Sequence, residues 1–164
     1  MDSPSYPLTT LNLSYNKITT LDGAPFSRLS NLKILDLSHN LLSQVSSDCF
    51  LGIKRLQSLN LSYNQLKALP VINHLSQLTI FNYSHNQVYD ASTDYFNSLP
   101  DLKYVDLMNN RISNFTVNDL NTDYSLLINV AFMSEIHYNL LVSSSISSMD
   151  EFTDRLNNTL MGKK

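Results

Sequence analysis

The chain is poor in the residues that most site chemistries require. Of its 164 residues three are glycine, one is cysteine and none is tryptophan. Three glycines are too few for a loop that cradles phosphate, so nucleotide chemistry of that kind is excluded. Cys49 stands alone and no internal disulfide can form, as expected in a reducing compartment or in a piece separated from its disulfide-bearing parts. No apolar run approaches the ~18–20 residues that span a bilayer. The opening MDSPSYPL lacks a basic start followed by an apolar segment, so it does not read as a secretory signal. The 11 Lys and Arg, against a net charge of −3, are scattered rather than gathered into the basic stripe of a nucleic-acid binder, and no nucleic-acid partner is expected.

What is there is a period. Leu11–Ile18 reads LNLSYNKI, Leu35–Leu42 reads LDLSHNLL, Leu59–Leu66 reads LNLSYNQL and Phe81–Val88 reads FNYSHNQV. Leu8, Leu32, Leu56, Leu78 and Leu102 open successive units at steps of 24, 24, 22 and 24 residues. Within each unit apolar residues recur at fixed offsets (Leu8, Leu11, Leu13, Ile18, Leu21, Phe26 and Leu29 in the first), with an asparagine at 16, 40, 64, 86 and 110.

The Leu-x-Leu alternation predicts a short strand with one buried side. One such strand cannot bury its own apolar face, but stacked units can, as a parallel sheet joined by returns of ~18 residues. Asn16, Asn40, Asn64, Asn86 and Asn110 sit where the chain leaves the strand. An amide side chain both donates and accepts there, and so satisfies backbone groups of its own or the neighbouring coil.

This L-x-x-L-x-L-x-x-N-x-L pattern, over roughly residues 8–123, resembles the leucine-rich-repeat family. The unit length and the late Phe26, Phe50 and Phe96 are similar to the typical class of Toll-like, Slit-like and insect immune recognition proteins. The resemblance implies an α/β solenoid, a right-handed β-α superhelix with the parallel sheet on its concave face. It also implies a non-enzymatic, protein-binding, receptor-type role at a cell surface or outside the cell. An intracellular scaffold or adaptor in the cytoplasm is the alternative. No cofactor or metal is implied.

The chain divides into a lead-in at 1–7, five repeats at 8–123, a degenerate sixth repeat or cap at 124–142, and a Ser-rich joint with an amphipathic helix at 143–164. Seven residues with two prolines give little cover to the first apolar layer. In the sixth unit Leu127, Val130 and Phe132 occupy the leucine positions, but Glu135 replaces the asparagine. Met149, Phe152, Leu156 and Leu160 follow at helical spacing. The helix over 149–161 is expected either to lie as a lid on the last repeat or to begin an oligomerising contact. The third unit is two residues short and replaces the late Phe with Leu69-Pro70-Val71-Ile72; a tighter return is expected there.

Function is expected on the concave side chains between the buried leucines. These rows are Thr10, Ile34, Ser58, Ile80, Tyr104; then Asn12, Asp36, Asn60, Asn82, Asp106; then Ser14, Ser38, Ser62, Ser84, Met108; then Tyr15, His39, Tyr63, His85, Asn109. Ile34, Ile80 and Tyr104 are apolar where solvent is expected. Tyr15, His39, Tyr63 and His85 form an aromatic row of the kind enriched at interfaces; stacking that braces adjacent coils is the other reading. With Asp36 and Asp106 supplying charge complementarity, these nine residues form the candidate strip for a protein partner.

Five sequons centre on Asn12, Asn60, Asn82, Asn114 and Asn157. In the first three, L-N-L-S at Asn12 and Asn60 and F-N-Y-S at Asn82, the sequon arises from the repeat itself. Asp36, Ser38 and His39 lie on one short stretch and cannot converge as a hydrolytic triad. His39 and His85 lie two strands apart, about 10 Å, too far to share an ion. Cys49 is expected to be buried and inert.

Overall fold

The structure, a computed structural model, describes residues 6–116, 126–131 and 137–142. Each coil contributes one three-residue strand around its second leucine position: β1 (Thr10–Asn12), then after a short outer strand β2 (Thr20–Leu21), β3 (Ile34–Asp36), outer strand β4 (Gln44–Val45), β5 (Ser58–Asn60) and β6 (Ile80–Asn82). The fourth and fifth coils add outer strand β7 (Asp90–Ser92), β8 (Tyr104–Asp106) and outer strand β9 (Asn114–Thr116). Two longer strands follow, β10 (Leu126–Ala131) and β11 (His137–Val142).

The principal sheet runs β1-β3-β5-β6-β8-β10-β11, parallel through β10. Its register aligns Leu11, Leu35, Leu59, Phe81 and Val105 in one buried row. Leu35, Leu59, Phe81 and Val105 are wholly buried, as are Leu37, Leu61, Tyr83 and Leu107 two residues on. The solenoid expected from the spacing is present, with its core between this sheet and the return segments.

The returns differ from the β-α expectation. Among the described residues the one helical element is a single 3-10 turn at Thr93–Phe96. Elsewhere the return is made of isolated i→i+3 closures, such as Leu29 N–H to Phe26 O (2.8 Å) and Leu32 N–H to Leu29 O (2.9 Å). Each ends before a second turn can form, because the chain must still cross the width of the coil and an α-helix advances only ~1.5 Å per residue.

On the outer side β2 pairs with β4 and β7 pairs with β9. The shortened third coil contributes no outer strand, so these are two separate two-stranded sheets. Two tyrosines of the fourth coil serve the carbonyls left there: Tyr83 Oη donates to Ala68 O at 2.6 Å, and Tyr95 Oη donates to Pro70 O. Tyr83 fills a slot that is leucine in the other coils, and burial pushes its phenol pKa up. The tight return expected at the third coil is thus a break in the outer sheet with tyrosine hydroxyls bridging it.

The sixth unit starts as a repeat and then departs from one. Strand β10 runs parallel to β8, but Ile128, not Val130, aligns with Val105, and Ile128 is buried. The chain then reverses and β11 pairs antiparallel with β10, Leu126 facing Val142. The degenerate coil expected at 124–142 contains an antiparallel hairpin, shifted two residues from the leucine pattern. The Ser-rich joint and the helix expected at 149–161 lie outside the described residues, as does Asn157.

Candidate functional site

Where each coil leaves the sheet, one residue takes a left-handed backbone: Tyr15, His39, Tyr63, His85 and Asn109 have φ between 53° and 56°. Non-glycine residues adopt this region uncommonly. Here the neighbouring coils enforce it. The N–H of Tyr15 still donates to Ser38 O (3.1 Å), His39 to Ser62 O, Tyr63 to Ser84 O and His85 to Met108 O, so the ladder continues through the turn.

The next residue is the repeated asparagine. Asn64 Oδ1 accepts the Leu42 N–H (3.0 Å), and its Nδ2 donates to Leu37 O, Leu61 O and Ser62 O at 3.0–3.2 Å. Asn40 and Asn86 bind the coil before and their own coil in the same way. Asn110 does so through Val88 N–H and Tyr83 O. Asn16, exposed in the first coil, holds only its own Leu13 and Ser14 carbonyls.

The four rings stack face to face. Tyr15–His39, His39–Tyr63 and Tyr63–His85 centroids are 4.1, 4.2 and 3.9 Å apart, with planes within 12°. Asn109 Nδ2 then meets His85 Nε2 at 3.0 Å. Tyr63 therefore separates the two histidines, and the row braces successive coils. Its edges remain outward: Tyr15 is 77% exposed and Tyr63 45%.

The row at Asn12, Asp36, Asn60, Asn82 and Asp106 makes one motif five times. Each Oδ1 accepts the backbone N–H two residues on, at 2.8–3.1 Å. In Asn12, Asn60 and Asn82 the same oxygen also accepts the sequon serine's hydroxyl. The serine row is corrected accordingly: Ser38, Ser62 and Ser84 are about 5% exposed and take no part in the open face. The left-handed turn one residue later rolls the serine inward, out of strand alternation. Asp36, Ser38 and His39 are thereby committed to a turn, the interior and the ring stack, three separate duties.

The row at Thr10, Ile34, Ser58, Ile80 and Tyr104 lies on the open face, in register strand by strand. Ile34 and Ile80 are each 45% exposed; Tyr104 is half-buried. Beside this row Asp36 and Asp106 are half-buried as well. Of the sequons outside the sheet, Asn114 is placed at the start of β9.

Cys49 is wholly buried, and its thiol pKa is pushed up to about 12, first by burial and second by the charge of Asp22. A thiol held protonated is a poor nucleophile. Among the described residues no three His, Cys, Asp or Glu gather as a metal site, and no helix is long and apolar enough to cross a membrane. Sequence reasoning missed the turn-forming role of the Asn/Asp row. Its signal was present as [N/D]-L-S or [N/D]-x-S in four of the five coils.

A family model described as "Leucine rich repeat" matches residues 7–66, and a second, "Leucine Rich Repeat", matches 55–78. Comparison with curated protein sequences gives no match. Among solved structures, a chain of a Toll-like receptor 13 complex, titled "Crystal structure of TLR13-ssRNA13 complex", is 36% identical with a TM-score of 0.60. The match covers 64% of this chain and 15% of that one, so the chain spans a small part of the receptor's length. That structure is of a complex with ssRNA13. Scattered Lys and Arg are therefore no ground for excluding nucleic acid from such a scaffold, and the exclusion drawn from composition is withdrawn.

Proposed function

Because the chain is a leucine-rich-repeat protein with Toll-like resemblance, we propose that it is a non-enzymatic, receptor-type recognition module that binds a protein on the open face of its sheet. The reading places it at a cell surface or outside the cell, in an innate-immune setting. The observation that carries it is the pair Ile34 and Ile80. Each is 45% exposed on the open face, in a row outside the core, and with Tyr104 they give that face apolar surface that a partner can cover. Tyr104 extends the apolar row. Asp36 and Asp106 supply charge beside it, and the outward edges of Tyr15, His39, Tyr63 and His85 form its margin. The carboxylates of Asp36 and Asp106 favour a basic polypeptide group over a phosphate at those two positions.

The test is selection of binders from a displayed protein library against the 164-residue chain, repeated on Ile34→Glu/Ile80→Glu. Loss of most binders on the double variant supports the reading. Binders indifferent to it move the interface off the sheet face and sink it. The compartment is tested separately, by mass spectrometry after expression in a secretory host: glycan on Asn114 or Asn157 supports export, and bare asparagine at both opposes it.

A further inference from the structure

The Asx row holds an internal control. Asn12, Asn60 and Asn82 make the same turn as Asp36 and Asp106, with the same acceptor oxygen and the same distances. A neutral amide is therefore enough for the fold, and the negative charge at 36 and 106 has no structural duty. No Lys or Arg among the described residues pairs with either carboxylate.

The charges are also patterned. The residues just before the strands are Thr9, Lys33, Gln57, Thr79 and Lys103, so the coils that carry Asp also carry Lys and the other three are neutral in both rows. Lys33 and Lys103 are exposed. Strands β3 and β8 thus form two dipolar ribs, positive where the strand begins and negative where it ends, with neutral β5 and β6 between them and Ile34, Ile80 and Tyr104 along the middle.

Three strand steps at ~4.8 Å put the two carboxylates about 14 Å apart along the sheet. An extended polypeptide rises ~3.4 Å per residue, so residues i and i+4 stand about 14 Å apart. Their parity is even, so both side chains face the same way. Spacings i+3 and i+5 fail on parity, and i+2 and i+6 miss by about 7 Å.

Resting on the open-face reading above, we propose that the partner is an extended peptide segment lying across the strands, with Lys or Arg at positions i and i+4 seated over Asp36 and Asp106. Residue i+2 faces the amides of Asn60 and Asn82 and is polar. Lys33 and Lys103 repel a basic pair from the opposite flank, which fixes the segment over the aspartates. Backbone-extended ligands need no helix or fold of their own to match this ruler.

The experiment uses the 164-residue chain and four synthetic 11-residue peptides, alike except that two arginines stand at i,i+2; i,i+3; i,i+4; or i,i+6. Fluorescence anisotropy at low and physiological salt reads the affinities. The i,i+4 peptide is expected to bind tightest. Asp36→Asn and Asp106→Asn should each weaken it about threefold to tenfold while leaving the melting temperature unchanged, since asparagine already serves at three equivalent positions. Affinity independent of spacing, or unaffected by the two substitutions, overturns the proposal, as does no binding by any peptide. Binding that ignores spacing but is lost on the uncharged double variant Ile34→Ser/Ile80→Ser removes the ruler and keeps the sheet-face reading. Spacing-dependent binding that survives that double variant has the opposite meaning: the ruler stands and the apolar strip does not.

Discussion

Tyr83 Oη donates to the carbonyl oxygen of Ala68 across 15 residues, at 2.6 Å. It closes a gap that exists because the third coil has lost two residues and with them its outer strand. The hydroxyl comes from inside the core, from a position that leucine holds in the other coils.

Replacing Tyr83 by Phe keeps the ring and removes that bond. The expected loss is about 1–2 kcal/mol, the usual cost of a half-buried acceptor left without its donor. Urea unfolding reads it. Tyr83→Leu, which restores the repeat's own residue, should cost more than Tyr83→Phe, because the shortened third return cannot fill the space the ring leaves.

Asn64 and Asn16 occupy the same repeat position with different duties. Asn64 serves four backbone groups in two coils, all buried, whereas Asn16 serves two in its own exposed coil. Asn64→Leu should destabilise by at least about 3 kcal/mol and Asn16→Leu by under about 1 kcal/mol. Equal losses in denaturant titration would contradict the ladder described above.

Gly52 and Gly23 form a similar contrast. Both have positive φ, 92° and 62°. A Cβ on Gly52 would lie 2.7 Å from Ser27 Cα and O, while one on Gly23 meets nothing within 4 Å. Gly23→Ala should cost about 1 kcal/mol, the conformational term alone. Gly52→Ala should cost clearly more, about 2–4 kcal/mol, since backbone must move between the first two coils.

The ring stack separates bracing from recognition. Tyr63→Ala removes two stacked contacts, at about 0.5–1.5 kcal/mol each, and should lower stability and change near-ultraviolet circular dichroism. If partner binding falls by no more than stability explains, the row is a brace alone. A larger fall makes its edges part of the interface.

Alkaline pH should unfold the chain earlier than its composition suggests. Burial raises the pKa of Cys49 to about 12 and raises those of Tyr83 and Tyr95 as well. For a group whose pKa is higher folded than unfolded, the unfolded chain holds fewer protons above the ordinary pKa, so stability falls with rising pH. The decline should begin near pH 9 through Cys49 and steepen above about pH 10 through the tyrosines, each at up to about 1.4 kcal/mol per pH unit. Cys49→Ala should remove the part between 9 and 10; an unchanged onset would count against burial as its cause.

Much of the molecule is legible in its sequence. Leu35, Leu59 and Leu61 announce their burial by period alone, and Asn40, Asn64 and Asn86 by standing where a strand must end. What failed to show had local causes. Ser38 reads as outward by strand alternation, but the left-handed His39 turns it in. Leu127, Val130 and Phe132 copy the leucine spacing, yet Ile128 takes the buried place beside Val105 in a strand that pairs with β11 on its other side. The Tyr15–His39 contact was readable as one of two options, because a sequence places rings in a row without saying whether they touch. The return segments misled because apolar spacing there suits both a short helix and a series of single turns.

The interrupted outer sheet has a mechanical consequence. Flexing that narrows the open face stretches the back of every coil, and hydrogen-bonded strand pairs resist it at the first and second coils and again at the fourth and fifth. At the third coil it is resisted not by paired strands but by single side-chain bonds: the two tyrosine hydroxyls toward the fourth coil, and His74 Nε2 against Phe50 O (3.1 Å) toward the second. The outer pairing is thus interrupted midway between Asp36 and Asp106, so the gauge between those two carboxylates is the spacing on the open face that the back of the solenoid restrains least.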